Sequence, residues 1–173
     1  MIEIKSARGY NKKLAQGLAR LYSASGFSSF DGEISQDRLR EIYKLNNVYR
    51  LVVFDDSKRG PFAFVGMGRI WFQPQDSGNY ISEIHDIFVL DEYQGRGLGG
   101  KLVDYLIDIA KRFAKTKEAS IILSLTSNPN NPKRKRAIDI YLKRGFRLVA
   151  KTNGKKGTNL YKMWIDKDGQ IVP

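Results

Sequence analysis

A chain of 173 residues with 42% hydrophobic and 28% charged residues has the size and composition of one globular domain with a single core, taken here as residues 1–173. Having no cysteine, it cannot form disulfides, thiolate zinc sites or a cysteine acyl-enzyme, and no apolar run approaches membrane-spanning length, so a soluble, cytoplasmic protein is the expectation. The net charge of +12 points to a polyanionic partner, either the phosphates of a small ligand or a nucleic acid, or to nothing more than a basic solvated surface.

Ile2–Ala7 alternates apolar and polar residues as a first strand does, and Leu14, Leu18, Leu21 and Tyr22 form a helical stripe over 10–24. A glycine- and aromatic-rich stretch at 23–35 leads to Ser35, an N-cap for a short helix carrying Leu39, Ile42 and Tyr43. Val48–Phe54 and Pro61–Phe72 are expected to form a hairpin around the turn-rich 55–60. Ile81–Leu90 places apolar residues on both faces, so it is predicted as a central strand buried on both sides, with Glu83, His85 and Asp86 as polar residues admitted for a reason. A helix over 98–114 follows from the spacing of Leu98, Leu102, Tyr105, Leu106, Ile109 and Phe113. Then come a strand Ala119–Leu125, a loop at 127–132 and a helix Lys133–Arg144 with Ala137, Ile138, Tyr141 and Leu142 on one side. Gly145 is placed to end that helix in the left-handed conformation. Phe146–Lys151 and Asn159–Ile165 close the chain as two strands around a loop at 152–158.

Between the 81–90 strand and its helix lies Gln94-Gly95-Arg96-Gly97-Leu98-Gly99-Gly100. Glycines let a ligand approach the backbone, and a helix N-terminus offers unpaired N–H groups and a positive dipole end, which together make a phosphate site. Gly95, Gly97 and Gly100 satisfy GxGxxG, but the dinucleotide reading requires an acidic residue at the end of the next strand, where Thr126-Ser127-Asn128 stands. Gly95 with Gly100-Lys101 satisfies most of GxxxxGK, but the residue that should hold magnesium as Ser or Thr is Leu102.

Gln94-Gly95-Arg96-Gly97-Leu98-Gly99 after Ile87-Phe88-Val89 resembles the acetyl-coenzyme A signature Q/R-x-x-G-x-G/A of the GNAT superfamily of N-acetyltransferases. Ala137-Ile138-Asp139-Ile140-Tyr141-Leu142-Lys143-Arg144-Gly145-Phe146 resembles that family's second motif, A-x-x-(L/I)-Y-x-x-x-G-F, and the element order is compatible from end to end. The resemblance implies an α/β acyl-CoA N-acyltransferase fold with a central mixed, mostly antiparallel sheet flanked by helices. It implies acetyl-CoA as cosubstrate, held by the main chain of Ile87, Phe88 and Val89, by the N–H groups of Gly95 to Gly100, and by contacts from Gln94, Arg96, Leu98 and Lys101. Arg134 stands where the family often carries an asparagine that contacts pantetheine or substrate. The segment bearing Phe27, Phe30, Asp31 and Glu33 would lie over the acceptor, though the same residues also read as an ordinary connecting loop anchored by two aromatics.

Acetyl transfer to an amine needs a neutral amine, a proton acceptor, oxyanion stabilisation and protonation of the departing thiolate. Without cysteine, direct attack in a ternary complex is the simplest route. Tyr141 occupies the position from which family members protonate the thiolate, and it also fits as a packing residue on the helix's apolar face. Glu83 and His85, two apart on one strand, share a face if no bulge intervenes, and either could accept the amine proton. The acceptor is expected to be a small-molecule or protein amine and the protein a monomer or homodimer. A basic RNA- or ribosome-associated module using Lys133-Arg134-Lys135-Arg136, or an acetyltransferase acting on charged tRNA, stays open at this point.

Overall fold

The computed structural model describes residues 1–7, 12–25, 47–128, 132–151 and 158–172. Its elements are β1 (Ile2–Ser6), α1 (Lys12–Ser25), β2 (Val48–Asp55), β3 (Phe64–Pro74), β4 (Tyr80–Val89), α2 (Leu98–Lys117), β5 (Ile121–Ser127), α3 (Pro132–Leu142), β6 (Arg147–Lys151), β7 (Asn159–Ile165) and β8 (Ile171–Val172). Short 3₁₀ turns at Gly60–Ala63 and Asp91–Tyr93 precede β3 and the glycine turn. The strands make an eight-stranded mixed sheet in the order β1-β2-β3-β4-β5-β7-β6, with β8 also on β7. β4 is central, as its composition predicts. The second predicted helix, the acceptor-segment residues Phe27, Phe30, Asp31 and Glu33, and most of the 152–158 loop lie outside the described residues.

By compactness the chain divides into Met1–Ile70 with Asp86–Leu102, and Trp71–His85 with Val103–Pro173. In the first unit, β1 pairs antiparallel with β2 from Ile2↔Asp55 to Ser6↔Leu51. α1 buries Leu14, Leu18 and Leu21 of the predicted stripe together with Ala15, while Tyr22 is half-buried. It packs tightly because Gly17 has no side chain: a Cβ there would lie 2.3 Å from the Phe64 ring. Gly66 serves β3 likewise, since a Cβ would stand 2.9 Å from the carbonyl oxygen of Phe88.

In the second unit, β4 runs parallel to β5 from Tyr80↔Ile121 to Glu83↔Ser124, a register that takes up four of the ten residues of β4. β5 meanwhile pairs with β7 along its whole length, from Ile121↔Ile165 to Ser127↔Asn159. The Phe72 ring stacks on Phe113 of α2 at 3.9 Å and Tyr80 meets Phe113 edge-on at 4.9 Å. Such pairs add about 0.5–1.5 kcal/mol each beyond burial, and they fix α2 on the sheet.

Three expectations need correction. Ile81 is 40% exposed rather than buried, because it shares its face of β4 with the polar Glu83 and His85. Tyr105 is 47% exposed: the buried stripe of α2 is Leu98, Leu102, Val103, Leu106, Ile107, Ala110 and Ala114. Leu142, predicted on the apolar side of α3, is 47% exposed where the helix ends. Gly145 behaves as predicted, at φ +92°, with the Phe146 N–H closing back on the carbonyl of Tyr141 at 3.2 Å.

Candidate active site

The glycine turn is held by local contacts and by one long-range anchor. After β4, the 3₁₀ turn Asp91–Tyr93 is anchored by the buried Tyr93, whose phenol donates to Asp55 Oδ2 at 2.6 Å. Asp55 Oδ1 accepts from the Ser57 amide at 3.0 Å and its hydroxyl at 2.7 Å. The hydrogen bonds from Tyr93 and Ser57 lower the Asp55 pKa to about 2. Gln94 then ties the turn to the strand it leaves: its Nε2 donates to the Val89 carbonyl at 3.0 Å and to Asp91 Oδ1 at 2.7 Å. Arg96 folds back as well, with Nη2 donating to the Glu92 carbonyl at 3.2 Å and the guanidinium 5.1 Å from the centre of the Tyr93 ring. These two side chains, predicted as phosphate contacts, are engaged in shaping the turn.

Gly95 and Gly97 lie at φ +77° and +75°, a region where other L-residues are strained. Gly99 is already helical, and a Cβ at Gly95, Gly97 or Gly99 would meet no protein atom within 4 Å. Packing within the protein therefore does not demand glycine at 99. The bare helix start leaves its backbone open to a ligand, and its N–H groups fit the pyrophosphate of a nucleotide-bearing ligand. Leu98 is buried at the helix start, Lys101 is exposed, and its amide donates to the Gly97 carbonyl at 3.0 Å.

The candidate proton-handling residues belong to the second unit. His85 Nε2 and Glu83 Oε2 are 3.1 Å apart, each side chain about one-third exposed. This places both on one face of β4, as their spacing predicts. The Trp71 indole of β3 lies nearly parallel to the imidazole, 15° between planes and 6.4 Å between centres. Buried serines hold the strands beneath: Ser124 Oγ donates to the Ser82 carbonyl at 3.0 Å, and Ser82 Oγ to the Trp71 carbonyl at 2.7 Å. Tyr141 in α3 is 5% exposed, its ring edge-on to Phe146 at 6.1 Å. The backbone of Arg134 belongs to α3; its side chain is outside the described residues.

Sequence reasoning missed a cluster in the first unit. Asp86 sits inside β4 at φ +56°, in contact with Arg69 of β3 at 2.5 Å and accepting from the Tyr22 phenol of α1 at 2.8 Å. The Arg69 contact is an ion pair, since Nε does not meet hydrogen-bond geometry. Burial first, then the charge of Asp86, hold the Tyr22 phenol well above its usual range. The one signal available was Asp86 itself, a third polar residue in an otherwise apolar strand. Trp71 was also missed, because within the strand predicted over 61–72 nothing in the sequence set it apart from its apolar neighbours.

A central strand leading through an open glycine turn into a helix start defines an α/β protein whose turn has backbone suited to a phosphate-bearing ligand. The family model of the acetyltransferase (GNAT) family matches residues 9–146, and the chain belongs to that family. Its fold is shared by Arabidopsis thaliana NAA60, solved in complex with acetyl-CoA, at 14% identity and TM-score 0.70 over 95% of this chain and 99% of that one. It is also shared by Arabidopsis thaliana Naa50, in complex with the bisubstrate analogue CoA-Ac-MVNAL, at 17% identity and TM-score 0.63 over 92% and 97%. A GNAT-family acetyltransferase from Streptococcus pneumoniae matches over 100% of both chains at 17% identity and TM-score 0.69. No curated protein matches the chain in a sequence comparison.

Proposed function

We propose that the protein, as a single domain spanning 1–173, is an acetyl-CoA-dependent N-acetyltransferase that acetylates a primary amine of a small molecule or protein by direct attack in a ternary complex. The observation that carries this reading is the glycine turn, with open space at Gly95, Gly97 and Gly99 beside a helix start in a GNAT chain. Acetyl-CoA would supply an activated acetyl thioester and a thiol leaving group. The N–H groups of Gly95 to Gly100 would hold its pyrophosphate, and the main chain of Ile87, Phe88 and Val89 its pantetheine arm; the Val89 carbonyl already accepts from Gln94. Gln94, Arg96, Leu98 and Lys101 would add contacts beside the phosphates, with Gln94 and Arg96 also keeping the turn in shape.

His85, steadied by Glu83 and Trp71, takes the proton of the incoming ammonium, so that a neutral amine attacks. If Nε2 carries the proton donated to Glu83, the basic atom is Nδ1. Tyr141 returns a proton to the departing thiolate, for which a phenol is a suitable donor. The acceptor segment includes Phe27, Phe30, Asp31 and Glu33, and Arg134 contributes at the pantetheine or acceptor. Peptidic acceptors have support in Naa50 and in the NatC complex bound to Gag peptide and CoA, which share the fold. No described helix is long and apolar enough to cross a membrane, and a cytoplasmic monomer or homodimer completes the reading.

The test is calorimetric titration with acetyl-CoA followed by a mass-spectrometric screen of amines and peptides with labelled acetyl-CoA. Binding plus label on an amine nitrogen supports the reading; no binding at millimolar acetyl-CoA overturns it.

A further inference from the structure

β4 changes hand partway along. The buried residues before Asp86 are even-numbered, Ser82 and Ile84 at 1% and 4% exposure, whereas after it the buried residue within the strand is odd-numbered Val89 at 8%, followed just past the strand end by Leu90 at 6%. A strand alternates strictly, so an exchange of parity requires one residue to leave the extended region. That residue is Asp86 at φ +56°.

Glycine would make the same bend without strain, and asparagine and aspartate tolerate it better than other residues. What aspartate adds is a carboxylate, and here it is gripped from two elements. Arg69 of β3 approaches Oδ2 at 2.5 Å, and the Tyr22 phenol of α1 donates to the same oxygen at 2.8 Å. The Asp86 and Arg69 side chains are only 12% and 24% exposed, so water does not compete freely for either charge. The residue that follows the bend is Ile87, the first of the main-chain groups assigned above to the pantetheine arm of acetyl-CoA.

We propose that Asp86, held by Arg69 and Tyr22, is a positioning residue of acetyl transfer: it fixes the bend of β4 and thereby the direction of the Ile87 and Phe88 main-chain groups. This rests on the acetyl-CoA reading above. The phosphate anchor at the glycine turn is separate from the bend, so losing the clamp should leave cosubstrate affinity in place while the acetyl group is held less well. A displacement of about 1 Å at a reacting group costs about 10²-fold in rate.

The experiment compares Asp86→Gly, Asp86→Asn and Tyr22→Phe in the full chain, below the melting temperature of each. Asp86→Gly can still bend, and is expected to lower kcat about 10²-fold with little change in the KM for acetyl-CoA. Asp86→Asn keeps an acceptor for Tyr22 and should recover part of that loss. Tyr22→Phe should cost about tenfold. A purely structural role would lower the melting temperature but leave kcat intact, so wild-type kcat in folded Asp86→Gly overturns the proposal. If Asp86→Gly does not fold, unaltered kcat in Tyr22→Phe overturns it. Amide exchange at 87–89 in the free protein supplies a readout independent of acetyl-CoA. Should the wild type bind no acetyl-CoA, the proposed function falls, while unchanged exchange in Asp86→Gly overturns the clamp and faster exchange upholds it.

Discussion

The first unit uses the left-handed backbone for two purposes, and it does so with opposite chemistry. At Gly95 and Gly97, φ is +77° and +75° with nothing within 4 Å of where a Cβ would stand. At Asp86, φ is +56° and the side chain is held by an arginine and a tyrosine. The turn reaches its shape by lacking side chains and leaves its amides open toward a ligand. The strand reaches its shape through a side chain, which fixes the bend. An open site needs room; an aligned one needs a grip.

The largest effect expected from breaking this contrast is at Gly97. Gly97→Val would lose ligand binding and also incur about 1–2 kcal/mol of left-handed strain, so a lower melting temperature and lost acetyl-CoA affinity should occur together. Gly99→Val separates the two. Because that position is helical and faces open space, calorimetry should show affinity gone with the melting temperature unchanged or slightly raised, as valine is a better helix residue than glycine. Unchanged affinity would remove the turn from the cosubstrate site. Next in size, Tyr141→Phe should lower kcat by about 10²-fold or more at nearly constant KM for acetyl-CoA, as expected for a lost general acid whose ring still packs. Near-normal turnover would leave Tyr141 as a packing residue.

Smaller changes are expected at the Glu83–His85 pair. His85→Ala should lower kcat and Glu83→Gln should lower it less, both leaving acetyl-CoA affinity alone; a loss of stability with wild-type kcat would make the pair structural. Smallest is Asp55→Asn. The Asp55 carboxyl is lowered to about 2 in the folded protein, against about 4 for an ordinary aspartate, so its contribution is full above about pH 4 and lost as pH falls toward 2. The variant should therefore be less stable at neutral pH, and its stability should change less than that of wild type between pH 4 and 2. Matching acid-unfolding curves of equal height would show that the Tyr93–Asp55 anchor carries no weight.

The turn was legible in the sequence because glycine is a statement about backbone: Gly95, Gly97 and Gly145 each mark a left-handed position that other residues adopt only with strain. Element order was legible for the same reason, since apolar spacing reports period, and β7 falls on Asn159–Ile165 as predicted. The β4 bend was not legible, because aspartate is equally at home in a loop, a cap or a salt bridge, and only its partners 17 and 64 positions away reveal which. Exposure failed for a related reason at Ile81 and Tyr105: periodicity says which residues share a face but not which face is covered. The short strand β8 escaped notice because two residues carry no period.

Gly99 offers a further use. The chain has no cysteine, so Gly99→Cys would carry the sole thiol of the molecule, on a helix start where nothing in the protein crowds it. Cysteines at helix N-termini react readily because the dipole favours the thiolate. Its labelling rate in the free protein would report how open the turn is. The adducts would then plug the turn with groups of chosen size, each expected to abolish acetyl-CoA affinity without unfolding the chain.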